Sequence, residues 1–303
     1  MQGTVGIILV NYNGYEDTKE CIESIKKNTY HNYKIIIVDN ASPDGSGKLL
    51  DNEYSGDKDI IVILNRENAG FSEGNNIGLK YASEEKLDYV LMLNNDTIVD
   101  SDFLYKLIKG ARKTNFKGLY SGKILYYFDK DKIWFAGGKY NYFKGTASHE
   151  GVNENDGKYY NTTRKIEFIC GCCIFMSMEI YHQLGNLSDE YFLYAEDLDY
   201  SLMAQNKNIS MYYIPEARIY HKVSASTSKI SILSQYYMIR NRFYIISKFH
   251  YGYKKISAYI FTTLWCIKRI IKREFSIPVC KTAISDFITN NMGKKVEEDE
   301  KKL

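Results

Sequence analysis

Tyr89-Val90-Leu91-Met92-Leu93-Asn94-Asn95-Asp96 is an apolar run that stops abruptly in three polar residues. A strand without polar alternation is buried on both faces, as in a parallel sheet covered by helices. Outward from it, the first 100 residues alternate short apolar runs with helical stretches. Residues 5–10, 34–38 and 60–64 read as further strands, and 15–28 and 74–83 as helices, the first with Cys21, Ile22 and Ile25 on one face. That alternation signals parallel strands joined by crossover helices. Ligands of such sheets lie off the carboxyl ends of the strands, so the polar residues just after each strand are the candidates for function.

From 118 to 164 the rhythm is lost among Gly, Tyr, Asn and Lys, as expected of β-hairpins and loops around an acceptor groove. An apolar stretch, 166–176, then leads to a helix at 179–184, a helical stretch at 189–205 and a short strand at 211–214. Beyond His221 the pattern is helical, with helices expected over 230–250 and 254–273 and a frayed charged tail over 294–303. The second of these wraps twelve uncharged residues, 256–267, between Lys254-Lys255 and Lys268-Arg269. Twelve is short of the roughly 20 needed to cross a bilayer. The alternatives are a basic helix lying on an anionic membrane surface, a helix packed on the domain, and a homodimer contact. The division expected is a domain over 1–222 and a basic helical extension over 223–303.

With 303 residues, 45% apolar and 25% charged, the chain has ample material for a core and is not a disordered one. The net charge of +3 conceals an asymmetry: residues 221–303 hold 16 Lys/Arg against 6 Asp/Glu, and the first 220 carry the acidic excess. A basic excess confined to the tail, without a reader motif, argues against a nucleic-acid partner. The six cysteines show no second CxxC unit to pair with Cys170–Cys173 and no zinc-like spacing with His, and the start lacks the charged lead of a signal peptide. Free thiols and a cytoplasmic location are expected, with peripheral attachment to the inner face of the plasma membrane through the tail helices.

Several polar residues follow strands. Asp39, directly after the second, suits a nucleobase NH or a ribose hydroxyl, or else a helix N-cap or an Asx turn. Asp96 with its neighbouring asparagines offers oxygen ligands to Mg²⁺ or Mn²⁺, or closes a turn. Glu196, Asp197 and Asp199 follow the aromatic run 191–194. Neighbouring carboxylates beside aromatics raise one another's proton affinity, as a general base requires, although acids also favour helix N-termini. His221 is a candidate metal ligand or a structural histidine.

Order and context combine these. The chain resembles family 2 of the nucleotide-diphospho-sugar glycosyltransferases, which have the α/β GT-A fold. The resemblance rests on Val5-Gly6-Ile7-Ile8-Leu9-Val10-Asn11-Tyr12-Asn13, Val38-Asp39-Asn40-Ala41-Ser42 and Asn68-Ala69-Gly70-Phe71-Ser72-Glu73-Gly74-Asn75-Asn76-Ile77-Gly78. It continues in Leu93-Asn94-Asn95-Asp96-Thr97, Phe192-Leu193-Tyr194-Ala195-Glu196-Asp197-Leu198-Asp199 and Ile214-Pro215-Glu216-Ala217 before Tyr220-His221. It implies a mostly parallel central sheet with flanking helices, and a metal-dependent, inverting sugar transfer. Tyr12, Asn13 and Asp39 would line the base pocket, and Asn68, Gly70 and Asn75 the loop near ribose and phosphates. Asn94 and Asp96 stand at the family's metal motif, Asn94 and Asn95 would bind the donor, Asp96 with His221 would complete the Mn²⁺ or Mg²⁺ site, and Asp197, flanked by Glu196, would be the base. Asn94 stands where an Asp is more usual, which removes one carboxylate.

Asn-Asn-Asp and Arg240-Asn241-Arg242 also resemble a rhamnosyltransferase-like branch. Arg240 and Arg242 are expected to grip an acceptor phosphate or to lie on a solvated helix face, and Trp134 is assigned to the acceptor side. The expected donor is dTDP-rhamnose or a UDP-hexose, and the acceptor a saccharide or lipid-linked saccharide in cell-surface polysaccharide synthesis. The main rival is a sugar-nucleotide-binding protein that has lost catalysis. A dehydrogenase is disfavoured because Asn11-Tyr12-Asn13-Gly14 replaces the GxGxxG turn after the first strand.

Overall fold

The computed structural model describes residues 3–223 and 231–295. Its N-terminal half alternates strand and helix: β1 Val5–Asn11, α1 Tyr15–Lys26, β2 Tyr33–Asp39, α2 Ser46–Tyr54, β3 Ile60–Leu64, α3 Gly70–Glu84 and β4 Tyr89–Leu93. These four strands are parallel, in the order β4-β1-β2-β3. Val5, Ile7, Ile8, Leu9 and Ile35 to Val38 are fully buried, as unalternating strands demand. The interval in α3 between Gly74 and Gly78 lets that helix close on β1. A Cβ at Gly78 would lie 2.5 Å from the Ile8 side chain, and one at Gly74 2.8 Å from Val10. This close approach carries the first turn of α3 to the carboxyl end of β1.

The chain continues through β5 Thr97–Val99, α4 Phe103–Arg112, β6 Gly118–Tyr126, β7 Ile133–Phe135, β8 Gly138–Asn141, β9 Thr146–His149, β10 Arg164–Ile166, β11 Cys173–Ser177, α5 Met178–Leu184, α6 Glu196–Asn206 and β12 Ser210–His221. The main sheet runs β10-β12-β6-β11-β4-β1-β2-β3. β11 is inserted antiparallel between β4 and β6, so the sheet is mixed. The 118–164 region is thus only partly hairpin and loop: β6 is a nine-residue strand, buried almost throughout, in the body of the sheet. Its Gly, Tyr and Lys content hid it, because Tyr120 packs among rings and Lys123 is buried on Asp156 at 2.6 Å. The hairpin expected there is β8–β9. The short strand at 211–214 grows to twelve residues. A register shift between Ile214 and Arg218 passes Pro215 and resumes pairing with β6, and β12 also pairs with β5 so that His221 faces Thr97.

Helices α7 Ile232–Phe249, α8 Gly252–Ile271 and α9 Ile277–Ile288 follow. The helix expected from 230 starts at Ile232 behind the cap Ser231, whose Oγ accepts from the Ser234 amide; residue 230 lies outside the described residues. α9 was not expected, nor were α2 and α4. The Gly-Ser-Gly start of α2 reads as loop, and Gly45 enters it with φ +81°. The expected frayed tail is described only to Lys295, and there it is packed: Lys295 is buried, with Nζ 2.7 Å from Asp286 Oδ2. Residues 296–303 lie outside the described residues.

Candidate active site

The carboxyl ends of β1, β2 and β4 meet at a buried polar hub. Asn11, the last residue of β1, donates from Nδ2 to Asp39 Oδ1 at 2.6 Å and to Ser46 Oγ at 3.0 Å. Its Oδ1 accepts from Thr18 Oγ1 at 3.0 Å. Asn95 Nδ2 reaches the same threonine at 2.8 Å, so one asparagine ties three strand ends together. Asn11 was not singled out from the sequence; an asparagine closing an apolar strand was the available signal.

Asp39 also accepts from the Ser42 amide at 3.0 Å and the Ser42 hydroxyl at 2.6 Å. These bonds close an Asx turn at the end of β2. Beside this hub a cavity of about 470 Å³ is lined by Tyr12, Asn40, Asn68, Gly70, Phe71, Asn95, Phe192 and Lys294, among others. Asn68 Oδ1 accepts from the Gly70 amide at 3.0 Å, and Asn40 Nδ2 donates to the Gly70 carbonyl at 2.9 Å. Gly70 has φ +86°, and a Cβ there would lie 2.4 Å from the Phe192 carbonyl oxygen, so glycine is required. Four residues expected at the donor, Asn13, Asp39, Asn75 and Asn94, are absent from this lining; Asp39 lies beneath it in the hub. Asn75 is buried and bonds back to the Phe71 carbonyl at 2.9 Å, fixing the first turn of α3. Asn13 adopts φ +56° with its amide on Ser42 Oγ, shaping the neighbouring turn.

At the edge of the sheet Asp96 Oδ1 lies 3.1 Å from His221 Nε2. The β12–β5 pairing brings them together. The Asn94 side-chain oxygen and His221 Nδ1 are both buried without a partner, whereas Asn94 is anchored through its amide on the Cys172 carbonyl at 3.0 Å. No cluster of three or more His, Cys, Asp or Glu suited to a metal occurs among the described residues. The donors present are one carboxylate, one imidazole and one amide oxygen, a set that fits a hard cation sharing the rest of its shell with diphosphate oxygens.

Asp197 lies across the segment Cys170-Gly171-Cys172. Its Oδ2 accepts from the Gly171 amide at 2.9 Å and its Oδ1 from the Leu198 amide at 2.7 Å. Tyr194 and Ala195 both take left-handed conformations, φ +67° and +75°, to turn the chain into α6 at this point. Strain of that kind, on two consecutive non-glycine residues, clusters at functional sites. Asp197 lines a second cavity, about 500 Å³, with His149, Phe168, Tyr194, Arg242 and Trp265. Burial raises the Asp197 pKa and the two amides partly offset it. Glu196 is buried behind it with Oε2 unpartnered, and burial, then the Asp197 charge, push it up to about 8. Asp199 instead is structural, fully buried between Lys248 Nζ at 2.6 Å and Tyr191 OH at 2.8 Å.

The two arginines part company. Arg240 is 1% exposed, stacked between Tyr236 and Tyr237, and its Nη2 donates to the Gly293 carbonyl at 2.9 Å. It reaches neither solvent nor a cavity, so both expectations for it are corrected: it pins the chain after α9 onto α7. Arg242 does line the Asp197 cavity, its guanidinium 4.8 Å from the Trp265 ring. Trp134 makes T-shaped contacts with both His149 and His221, its ring centroid 4.6 Å from each. It therefore connects the Asp197 cavity to the Asp96–His221 pair. His149 was missed by the sequence reading because nothing local distinguishes it, and burial lowers its pKa.

The sequence model of glycosyl transferase family 2 matches residues 6–185, more than half of the chain. The chain belongs to glycosyl transferase family 2. Over 97% of its length and 94% of the relative's, it is 25% identical to a low-salt glycan biosynthesis hexosyltransferase, Agl10, of Haloferax volcanii. It is 23% identical, over 82% of both chains, to the dTDP-rhamnosyl transferase RfbF of Shigella flexneri. Among solved structures it is similar to GalNAc-T7 crystallised with UDP, GalNAc and Mn²⁺ (TM-score 0.63, 14% identity, 81% of this chain). It is also similar to Staphylococcus aureus TarS (TM-score 0.61, 13% identity, 94% of this chain). The chain spans about half the length of each of these two, at 48% and 49%. These likenesses give the fold: it is GT-A, with a helical C-terminal region. The family 2 match ends before α6, so Asp197, His221 and the arginines lie beyond it.

Proposed function

We propose that the chain moves a glycosyl group from a nucleoside-diphosphate sugar, dTDP-rhamnose or a UDP-hexose, to a hydroxyl of a saccharide or lipid-linked acceptor during assembly of a cell-surface glycan. The printed functions of the hexosyltransferase and rhamnosyltransferase relatives support that substrate class. One observation carries the reading. Gly171 holds the Asp197 carboxylate through its amide while Cys172, next in the chain, holds Asn94 through its carbonyl. Adjacent residues thus tie the candidate base to the candidate donor site.

In this reading the donor lies over the hub of Asn11 and Asp39, its nucleoside beside Tyr12 and its diphosphate toward Asn95 and Asp96. Asp96, His221 and Asn94 would hold Mn²⁺ or Mg²⁺, which when bound neutralises charge on the leaving diphosphate. The acceptor enters the cavity of His149 and Arg242. The Asp197 carboxylate takes the proton of the acceptor hydroxyl as that oxygen forms its bond to the anomeric carbon. The bond from the anomeric carbon to the diphosphate oxygen breaks on the opposite face, so the configuration inverts. Glu196, neutral near pH 7, leaves the negative charge on Asp197. The six buried, unpaired cysteines support a reducing, cytoplasmic setting.

A thermal-shift panel of UDP-, dTDP- and GDP-sugars, with and without Mn²⁺, tests this. A donor at a hundred times its Kd adds about 2.7 kcal/mol and raises the midpoint by roughly 5–10 °C. One nucleotide class is expected to act in the presence of Mn²⁺, and Asp96→Ala to abolish the shift. If no sugar nucleotide shifts the wild type under any metal condition, the donor site is wrong. Binding without transfer to any acceptor would instead favour a sugar-nucleotide-binding protein.

A further inference from the structure

Helix α8 carries an exposed apolar row. Tyr253, Ile256, Ile260, Leu264, Ile267 and Ile271 follow one another at intervals of three or four residues and are 46% to 75% exposed. The opposite row, Ala258, Thr262 and Cys266, is buried. Single exposed apolar side chains are ordinary, but a continuous row along a helix of about 30 Å is a surface that something covers. The charges say what. α8 contains no Asp or Glu, and Lys254 and Lys255 lie in its first turn and Lys268 and Arg269 in its last, with Lys272 and Arg273 beyond. The nearest following acid, Glu274, is paired with Arg269.

A second copy of this helix is a poor occupant. Antiparallel pairing sets the lysines of one end against the basic residues of the other, and parallel pairing sets each end against itself, so either brings like charges together. Lys255 is held by the Ser247 carbonyl of α7, but an anionic lipid surface takes the apolar row at its acyl boundary and the exposed Lys268, Lys272 and Arg273 among its headgroups. No helix among the described residues is long and apolar enough to cross a membrane. We propose that α8 lies in the headgroup layer of an anionic bilayer and docks the enzyme there.

The docking face adjoins the Asp197 cavity. Trp265, next to Leu264, lines that cavity, and the β8–β9 hairpin tip leans on α8, with Phe143 5.9 Å from Tyr253 and Lys144 over Phe261 at 5.7 Å. Docking would therefore hold the cavity mouth at headgroup level, where a lipid-linked acceptor carries its sugar. That consequence rests on the proposed acceptor; the docking itself does not.

Flotation with vesicles of phosphatidylcholine alone, and of phosphatidylcholine mixed with phosphatidylglycerol, needs neither donor nor acceptor and so tests docking apart from the transferase reading. The wild type is expected to float with the anionic vesicles at low salt and to be released at high salt. The exposed double variant Ile260→Glu/Leu264→Glu should lose at least about tenfold in partitioning while keeping its melting midpoint. Lys268→Glu/Lys272→Glu should lose the preference for phosphatidylglycerol, by about fivefold for each charge removed. The proposal is overturned if the wild type ignores anionic vesicles, if both variants float like the wild type, or if sedimentation shows a dimer that Ile260→Glu/Leu264→Glu dissolves.

Discussion

Replacing Glu196 by Gln tests the electrostatic heart of the site. Glu196 is 9% exposed, its Oε2 has no partner, and its pKa is pushed from 4.5 to about 8, first by burial and then by Asp197. The folded protein therefore keeps a proton that the unfolded chain releases above about pH 4.5. Its contribution to stability is fully present below that value and is lost as pH rises toward 8. Each unit within the window is worth about 1.4 kcal/mol, so from pH 5.5 to 7.5 the wild type should lose on the order of 2 kcal/mol relative to Glu196→Gln, which cannot titrate there. Urea denaturation of both proteins at the two pH values measures this difference. Because the amide mimics the neutral acid, the variant should also keep its rate at pH 7 within roughly threefold, far less than the loss expected on removing a catalytic base. Parallel stability curves, or a collapse of activity at pH 7, would refute the assignment of a neutral Glu196 behind a charged Asp197.

Asp197→Asn keeps the shape of the side chain and removes the base, so kcat should fall by about a hundred- to ten-thousandfold with donor binding intact; an unchanged kcat assigns the base elsewhere. Arg240→Ala removes the donors of the Gly293 and Asn291 carbonyls and one partner of the Tyr236 hydroxyl, which keeps its bond to Asp286. It should cost on the order of 3 kcal/mol by urea denaturation, and a cost near zero would mean that α7 is not pinned there. Gly70→Ala places a methyl against the Phe192 carbonyl at a positive φ and should destabilise by roughly 2 kcal/mol while weakening donor binding, as calorimetry would show.

Local periodicity was enough to place the parallel half of the sheet and the points at which its polar residues emerge. Unalternating runs such as 34–38 and 89–93 can be buried only as inner strands, and whatever follows them must surface at a strand end; period and polarity are local, so they are legible in one chain. The loop at Asn68–Gly70 was located only through the family resemblance, and its Asx bond and left-handed glycine were supplied by the structure. Contacts between distant segments were decided only by the tertiary structure. His221 meets Asp96 because a twelve-residue strand continues past Pro215 and pairs with β5, and a proline in a short apolar run reads as an end, not a bulge. Arg240 and Arg242 are two positions apart and indistinguishable in sequence, yet helical rotation sends the first into the tyrosine stack and the second to the Asp197 cavity. The Cys170–Cys172 segment offered no polar side chain to notice. Its function is carried by one amide and one carbonyl, and backbone groups acquire a role only when the fold brings Asn94 and Asp197 to either side of them.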